Sequence, residues 1–173
     1  TANVEFEAYT GLSNYWARNY PYVNSLTQVD NILSAASWLK GFDFSATAIH
    51  SYDGSLYKRN AVYPRMGFDE FIDREKMTYT DKENSEFYAY ISDQSLFREV
   101  LDVIKNNDSP QMIGAITMQN HSPYDSAQYT DLEFVLKGDA EQYWNLANSF
   151  QSLHSADAYI GEFLTELDKL EER

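Results

Sequence analysis

SATAIH, residues 45–50, and QMIGAITM, residues 111–118, are the two stretches on which the fold turns. Both are short runs of apolar, small and β-branched residues, the composition of a buried strand. Gly41 stops a helical pattern just before the first. Pro110 precedes the second, and the polar NHSPY follows it. Between them, Ser92 or Asp93 can cap a helix running to about Lys105, with Leu96, Val100, Leu101 and Ile104 on one face. Strand, helix and strand in that order predict parallel pairing through a crossover.

Further out, Val29, Ile32, Leu33, Ala36 and Leu39 recur at helical spacing, which predicts a helix from Thr27 or Asp30 to Lys40. Residues 5–12 can make one or two helical turns, and residues 14–26 read as loop. Residues 52–63 mix turn with short helix, and GFDEFI, residues 67–72, reads as a second short strand. Residues 73–91 and 122–138 are irregular, and a long helix spans about Asp139 to Glu172. The expected fold is α/β: a partial three-layer αβα sandwich with a mostly parallel sheet covered on both faces.

The length of 173 residues suits a single domain, expected to occupy residues 1–173. Net charge is −14, with 27 acidic residues against 13 basic, which argues against nucleic acid as a partner. There is no cysteine, so disulfides and thiolate metal sites are excluded. No run approaches the roughly 20 apolar residues of a membrane span. The chain lacks an initial Met and ends on a helix that should feed another strand. It therefore reads as an internal piece of a longer catalytic domain, with any anchor or export signal outside it. Exposed edges of such a piece make self-association an expectation.

In open α/β sheets, active residues gather at the carboxyl ends of strands. His50 ends SATAIH and His121 follows QMIGAITM, so parallel neighbours would bring both over one cleft. The competing reading is that each imidazole is merely satisfied by a nearby carbonyl. Arg59 lies nine residues after His50, with Tyr57 between. A guanidinium beside an imidazole and an aromatic ring suits a phosphate or sulfate monoanion with a small polar group. Its competitor is an Arg paired with one of the many carboxylates. His154, inside the last helix, reads as a surface or core-edge residue. Thr1 could in principle be a nucleophile with its own amine as base, but that chemistry needs a layered β architecture foreign to this pattern.

Three blocks carry a family resemblance: TANVEFEAYTGLS from Thr1, AIHSYDGSLYKRNAVYPRMGFDEFID around His50, and ITMQNHSPY around His121. In this order they resemble phosphoglycerol transferases of the alkaline phosphatase and sulfatase superfamily, the group that includes lipoteichoic acid synthase. There a Thr, usually after glycines, is followed by a small or polar residue, Asn or Asp, any residue, Glu, and an aromatic or Met. A strand-ending His is followed by a Trp-Asn-Arg-like triplet, and a strand ends in Thr-x-x-Asn-His-x-Pro-aromatic. The resemblance implies an alkaline phosphatase-like fold.

It also implies roles. Thr1 matches the metal-bound nucleophile that takes the glycerophosphate group. His50, Tyr57, Arg59 and His121 match substrate-pocket positions, with His121 near the phosphoryl oxygen or leaving group and Arg59 holding phosphate. Tyr57 stands where many members have Trp, and Asp53 lies close by in an uncertain register. The cofactor implied is a divalent metal, manganese first, magnesium or zinc otherwise. Its other ligands, an upstream Glu and a downstream Asp-His pair, do not occur here, so this piece alone is expected to bind none and to be inactive. The implied donor is a phosphatidylglycerol-type lipid, the acceptor a glycolipid or polymer, and the place the outer side of a bacterial membrane. Alternatives are a sulfatase or phosphodiesterase on the same scaffold, and a non-catalytic domain that binds glycerophosphate. Against the sulfatase stands the absence of a Cys-x-Pro-x-Arg signature.

Overall fold

The structure, a computed structural model, describes residues 2–17, 20–82, 90–124, 129 and 132–171. Three strands, β1 (Ser45–His50), β2 (Glu70–Asp73) and β3 (Gln111–Ile116), form one sheet in the order β2-β1-β3. Both pairings are parallel. Ala48 stands between Phe71 and Gly114, and His50 between Asp73 and Ile116. Every β1 residue from Ala46 to His50 is buried, as a central strand covered on both faces requires.

Side chains alternate along a strand, and the two faces feed two cores. Ala46, Ala48, Phe71, Met112 and Ile116 pack with Ala2 and Phe6 of α1 (Ala2–Thr10), Tyr22 of α2 (Pro21–Asn24), Ala36 of α3 (Ala35–Leu39) and Val62 of α4 (Arg59–Val62). Ile49, Ile72 and Ile113 pack instead with Leu96, Val100 and Ile104 of α5 (Asp93–Lys105) and Phe163 of α6 (Trp144–Glu171). The result is the expected αβα layering. By parity, His50 and Asp73 share the first face, the one beneath α1. That helix approaches closely because Gly114 has no side chain: a Cβ there would stand 2.3 Å from the Tyr9 hydroxyl.

α5 begins and ends as the sequence predicts, with the Ser92 hydroxyl accepting from the Ser95 amide at 3.2 Å. The helix expected from residue 27 or 30 is much shorter. Asn31 adopts φ 56°, and the Ile32 amide donates to the Arg65 carbonyl instead of to a helical partner. Ser34 then caps α3 in a reciprocal box with Ser37. The loop expected over 14–26 contains short helical turns at Asn14–Ala17 and Pro21–Asn24. β2 starts at Glu70, because Gly67 turns the chain at φ 92° and Asp69 first exchanges backbone and side-chain bonds with Ala46. β3 stops at Ile116, two residues early, and the last helix begins as a 3-10 turn, Gly138–Gln142, before α6. No helix among the described residues is long and apolar enough to cross a membrane.

Candidate active site at the carboxyl end of the sheet

His50 closes β1 with its ring on the α1 face and is fully buried. Its Nδ1 lies 3.2 Å from the Ile116 carbonyl oxygen, its Nε2 3.3 Å from Arg59 Nη1. A carbonyl only accepts and a guanidinium only donates. The imidazole is therefore neutral, with the proton on Nδ1 and the lone pair on Nε2. Burial and the Arg59 charge pull its pKa down to about 4, which agrees with that tautomer.

Arg59 opens α4 and is 2% exposed. Its Nε donates to Glu5 Oε2 at 2.9 Å and its Nη2 to Glu5 Oε1 at 2.5 Å, a fork-to-fork pair. The Tyr63 hydroxyl also donates to Glu5 Oε2, at 2.7 Å. Burial drives the Glu5 carboxyl upward, but the Arg59 and Tyr63 bonds and the Arg59 charge outweigh it and hold the group below its usual range. Burial likewise opposes the Arg59 charge, and Glu5 more than restores it. Burial, then the Glu5 charge, raises the Tyr63 phenol. A fourth Arg59 bond runs from Nη1 to the Leu56 carbonyl at 3.3 Å.

Tyr57 is half-buried in the turn Leu56–Lys58, with the Arg59 guanidinium 5.2 Å from its ring centroid. This is cation–π distance. His50, Tyr57 and Arg59 therefore lie together. His121 is exposed and touches none of the three in the described contacts. It joins them through two further rings: His50 to Tyr52 at 6.3 Å, Tyr52 to Tyr90 at 5.6 Å, Tyr90 to His121 at 5.8 Å. His121 Nδ1 lies 2.6 Å from the Ser122 carbonyl oxygen, so that nitrogen carries the proton and Nε2 is the basic one. Asp53 accepts from the Ser55 amide at 2.8 Å and closes a local turn. His154 sits on α6, 3.2 Å from Glu133, away from this cluster. Thr1 lies outside the described residues.

Sequence reasoning missed Glu5 as the partner of Arg59, together with Tyr63, Tyr52 and Tyr90. Only Glu5 carried a signal, as the fixed acidic position of the TANVEF block. Among the described residues, no group of three or more His, Cys, Asp or Glu side chains could hold a metal ion. The described residues do not supply the metal site that the resemblance implies.

Known proteins resemble this chain in sequence and fold. The chain matches the sulfatase family over residues 1–173. It is 34% identical over 141 residues to a putative cyclic beta-1,2-glucan modification protein of Rhizobium meliloti, covering 80% of this chain and 21% of that protein. It superposes on the lipoteichoic acid synthase LtaP of Listeria monocytogenes with a TM-score of 0.77 at 26% identity, covering 97% of this chain and 40% of that one. A phosphoglycerol transferase of Streptococcus pyogenes, GacH, solved with sn-glycerol-1-phosphate, shares the fold with a TM-score of 0.76 at 23% identity, over 97% of this chain and 44% of that one. The chain thus spans about a fifth of the curated relative and under half of each solved chain. With the family match running its whole length and the parallel αβα fold beneath it, the chain belongs to the sulfatase family of enzymes.

Proposed function

We propose that the full-length protein transfers glycerophosphate from a phosphatidylglycerol-type lipid to a glycolipid or polymer acceptor, through an intermediate on Thr1, on the outer side of a bacterial membrane. The observation that carries this is the Glu5–Arg59–His50 cluster at the carboxyl end of the central strand. The resemblance assigns His50 and Arg59 to a glycerophosphate pocket, and their mutual contact supports that reading. The names of the relatives fit, since one acts in lipoteichoic acid synthesis and another was solved with sn-glycerol-1-phosphate.

In the first half-reaction a bond forms between Thr1 Oγ and phosphorus while the bond to the diacylglycerol oxygen breaks. The Thr proton ends on that oxygen. In the second, an acceptor hydroxyl oxygen bonds to phosphorus, the Thr1 bond breaks, and the acceptor proton returns to Thr1. His121 Nε2 is the proton carrier we propose, because its other nitrogen is already committed. Members of this superfamily are generally metal-dependent, and the divalent metal we propose for the full-length enzyme is manganese first, magnesium or zinc otherwise. The described residues do not form its site, so no step here runs through it.

Arg59 has five N–H donors, and four are used, two on Glu5, one on His50 and one on Leu56. A bidentate grip on phosphate would require Glu5 to release it. We therefore assign Arg59 one contact, to a neutral glycerol hydroxyl, in place of the phosphate clamp suggested by sequence. His50 orients that contact, and Tyr57 walls it. Incubation of full-length protein with glycerol-labelled phosphatidylglycerol, with and without manganese, tests the reading. Label on an acceptor supports transfer. Label released only as free glycerophosphate means hydrolysis, and retention without turnover means a binding domain.

A further inference from the structure

Among the described residues, five that are not glycine adopt positive φ: Tyr20, Asn31, Asp43, Tyr57 and Lys58. Asn and Asp tolerate that region, because a short polar side chain can bond to the local backbone. Tyr and Lys have no such excuse, and such residues concentrate at ligand sites. Tyr20 is the more constrained because Pro21 follows it, and a residue before proline is pushed toward extended conformations. All three unexplained residues meet in one place. The Tyr20 and Tyr57 rings are stacked, 5.8 Å between centroids and 13° from parallel. Lys58 is the next residue after Tyr57, and α2, which Tyr20 precedes, packs on the 56–58 turn.

The pair also faces outward. Tyr20 is 50% exposed and Lys58 is exposed, whereas Arg59 beyond them is 2% exposed. A flat aromatic platform with an ammonium at its edge is apolar on its face and a hydrogen-bond donor at its rim. A pyranose ring has the complementary form, with C–H groups on its faces and hydroxyls around its edge. An acyl chain offers nothing to the ammonium. Lys58 at φ 58° holds its charge at a backbone cost.

We propose that Tyr20, stacked on Tyr57 and flanked by Lys58, forms a subsite for a pyranose ring of the acceptor. This rests on the phosphoglycerol-transfer reading, and it places the sugar outward of the glycerol contact at Arg59. Tyr20 needs its ring and not its hydroxyl.

The test uses full-length enzyme, phosphatidylglycerol as donor, and two acceptor probes: a β-linked gluco-oligosaccharide and glycerol, which has no ring. For Tyr20→Ala, the ratio of kcat/KM for oligosaccharide over glycerol falls about tenfold, through KM for the oligosaccharide. Tyr20→Phe keeps the wild-type ratio, and so does Trp38→Ala, an exposed ring on α3 beside Phe42. Tyr20→Leu, which keeps apolar bulk, behaves as Tyr20→Ala and replaces it if that variant does not fold. An unchanged ratio in Tyr20→Ala or Tyr20→Leu overturns the proposal. A raised KM for phosphatidylglycerol with an unchanged ratio also overturns it and assigns the rings to the lipid. If wild-type enzyme transfers nothing, the function reading fails, and the subsite is judged by saturation-transfer NMR with the same oligosaccharide. A signal in wild type that Tyr20→Ala abolishes upholds it, and no signal in wild type sinks it.

Discussion

Replacing Glu5 by Gln removes one charge from an ion pair that is almost closed to water. The Glu5 and Arg59 side chains are 8% and 3% exposed. The amide can still accept one Arg59 hydrogen bond, but it cannot neutralise the guanidinium. Removing one partner of a buried pair costs about 3–5 kcal/mol, because the other charge is left uncompensated. The surviving bond puts Glu5→Gln at the lower end, about 3 kcal/mol. For a chain of this size about 3 kcal/mol lowers Tm by roughly 6–12 °C. Thermal unfolding at pH 7 followed by circular dichroism is the assay. Added salt should narrow the difference little, since buried pairs are weakly screened. The double variant Glu5→Leu with Arg59→Leu should lose less than the two single changes summed, because neither charge is stranded. A Glu5→Gln protein melting within about 2 °C of wild type would refute the claim that this pair anchors α1 to the site.

Other outcomes follow from individual contacts. His50 is held at about 4, below its ordinary 6.5, so the unfolded chain takes up a proton that the folded one resists. Stability should therefore fall as pH drops from about 6.5 to about 4, by on the order of 3 kcal/mol. His50→Gln, which can keep both hydrogen bonds, should flatten that part of the pH profile in urea unfolding. Leu96 is fully buried under the sheet, and Leu96→Ala should cost about 2–5 kcal/mol by the same method. Ser34→Ala removes the cap of α3 and should cost about 1 kcal/mol, seen as a small drop in denaturation midpoint with an unchanged slope.

β1 and α5 were legible in the sequence because their signals are local and agree. A run of apolar, small and β-branched residues after the breaker Gly41 marks β1, and a capping Ser92 with a stop before Pro110 marks α5. The helix at 35–39 was overextended because what stops it is distant: the Arg65 carbonyl takes the Ile32 amide, and nothing near Ile32 announces that. The site divides in the same way. His50, Tyr57 and Arg59 share one short segment, so their convergence could be read from spacing and resemblance. Glu5 lies 54 residues from Arg59 and is one of 27 acidic residues, so no local feature marks it as the buried partner. The aromatic link through Tyr52 and Tyr90 to His121 likewise depends on how three separate loops meet at the end of the sheet.

The central claim is that glycerophosphate passes through Thr1 before it reaches an acceptor. Full-length protein incubated with phosphatidylglycerol and manganese, quenched in acid, digested and mapped by mass spectrometry tests this most directly. The account predicts a glycerophosphate group on the peptide containing Thr1, present with donor alone, discharged when acceptor is added, and absent from Thr1→Ala. Turnover of donor by wild type and Thr1→Ala alike, with no adduct on that peptide, would contradict it.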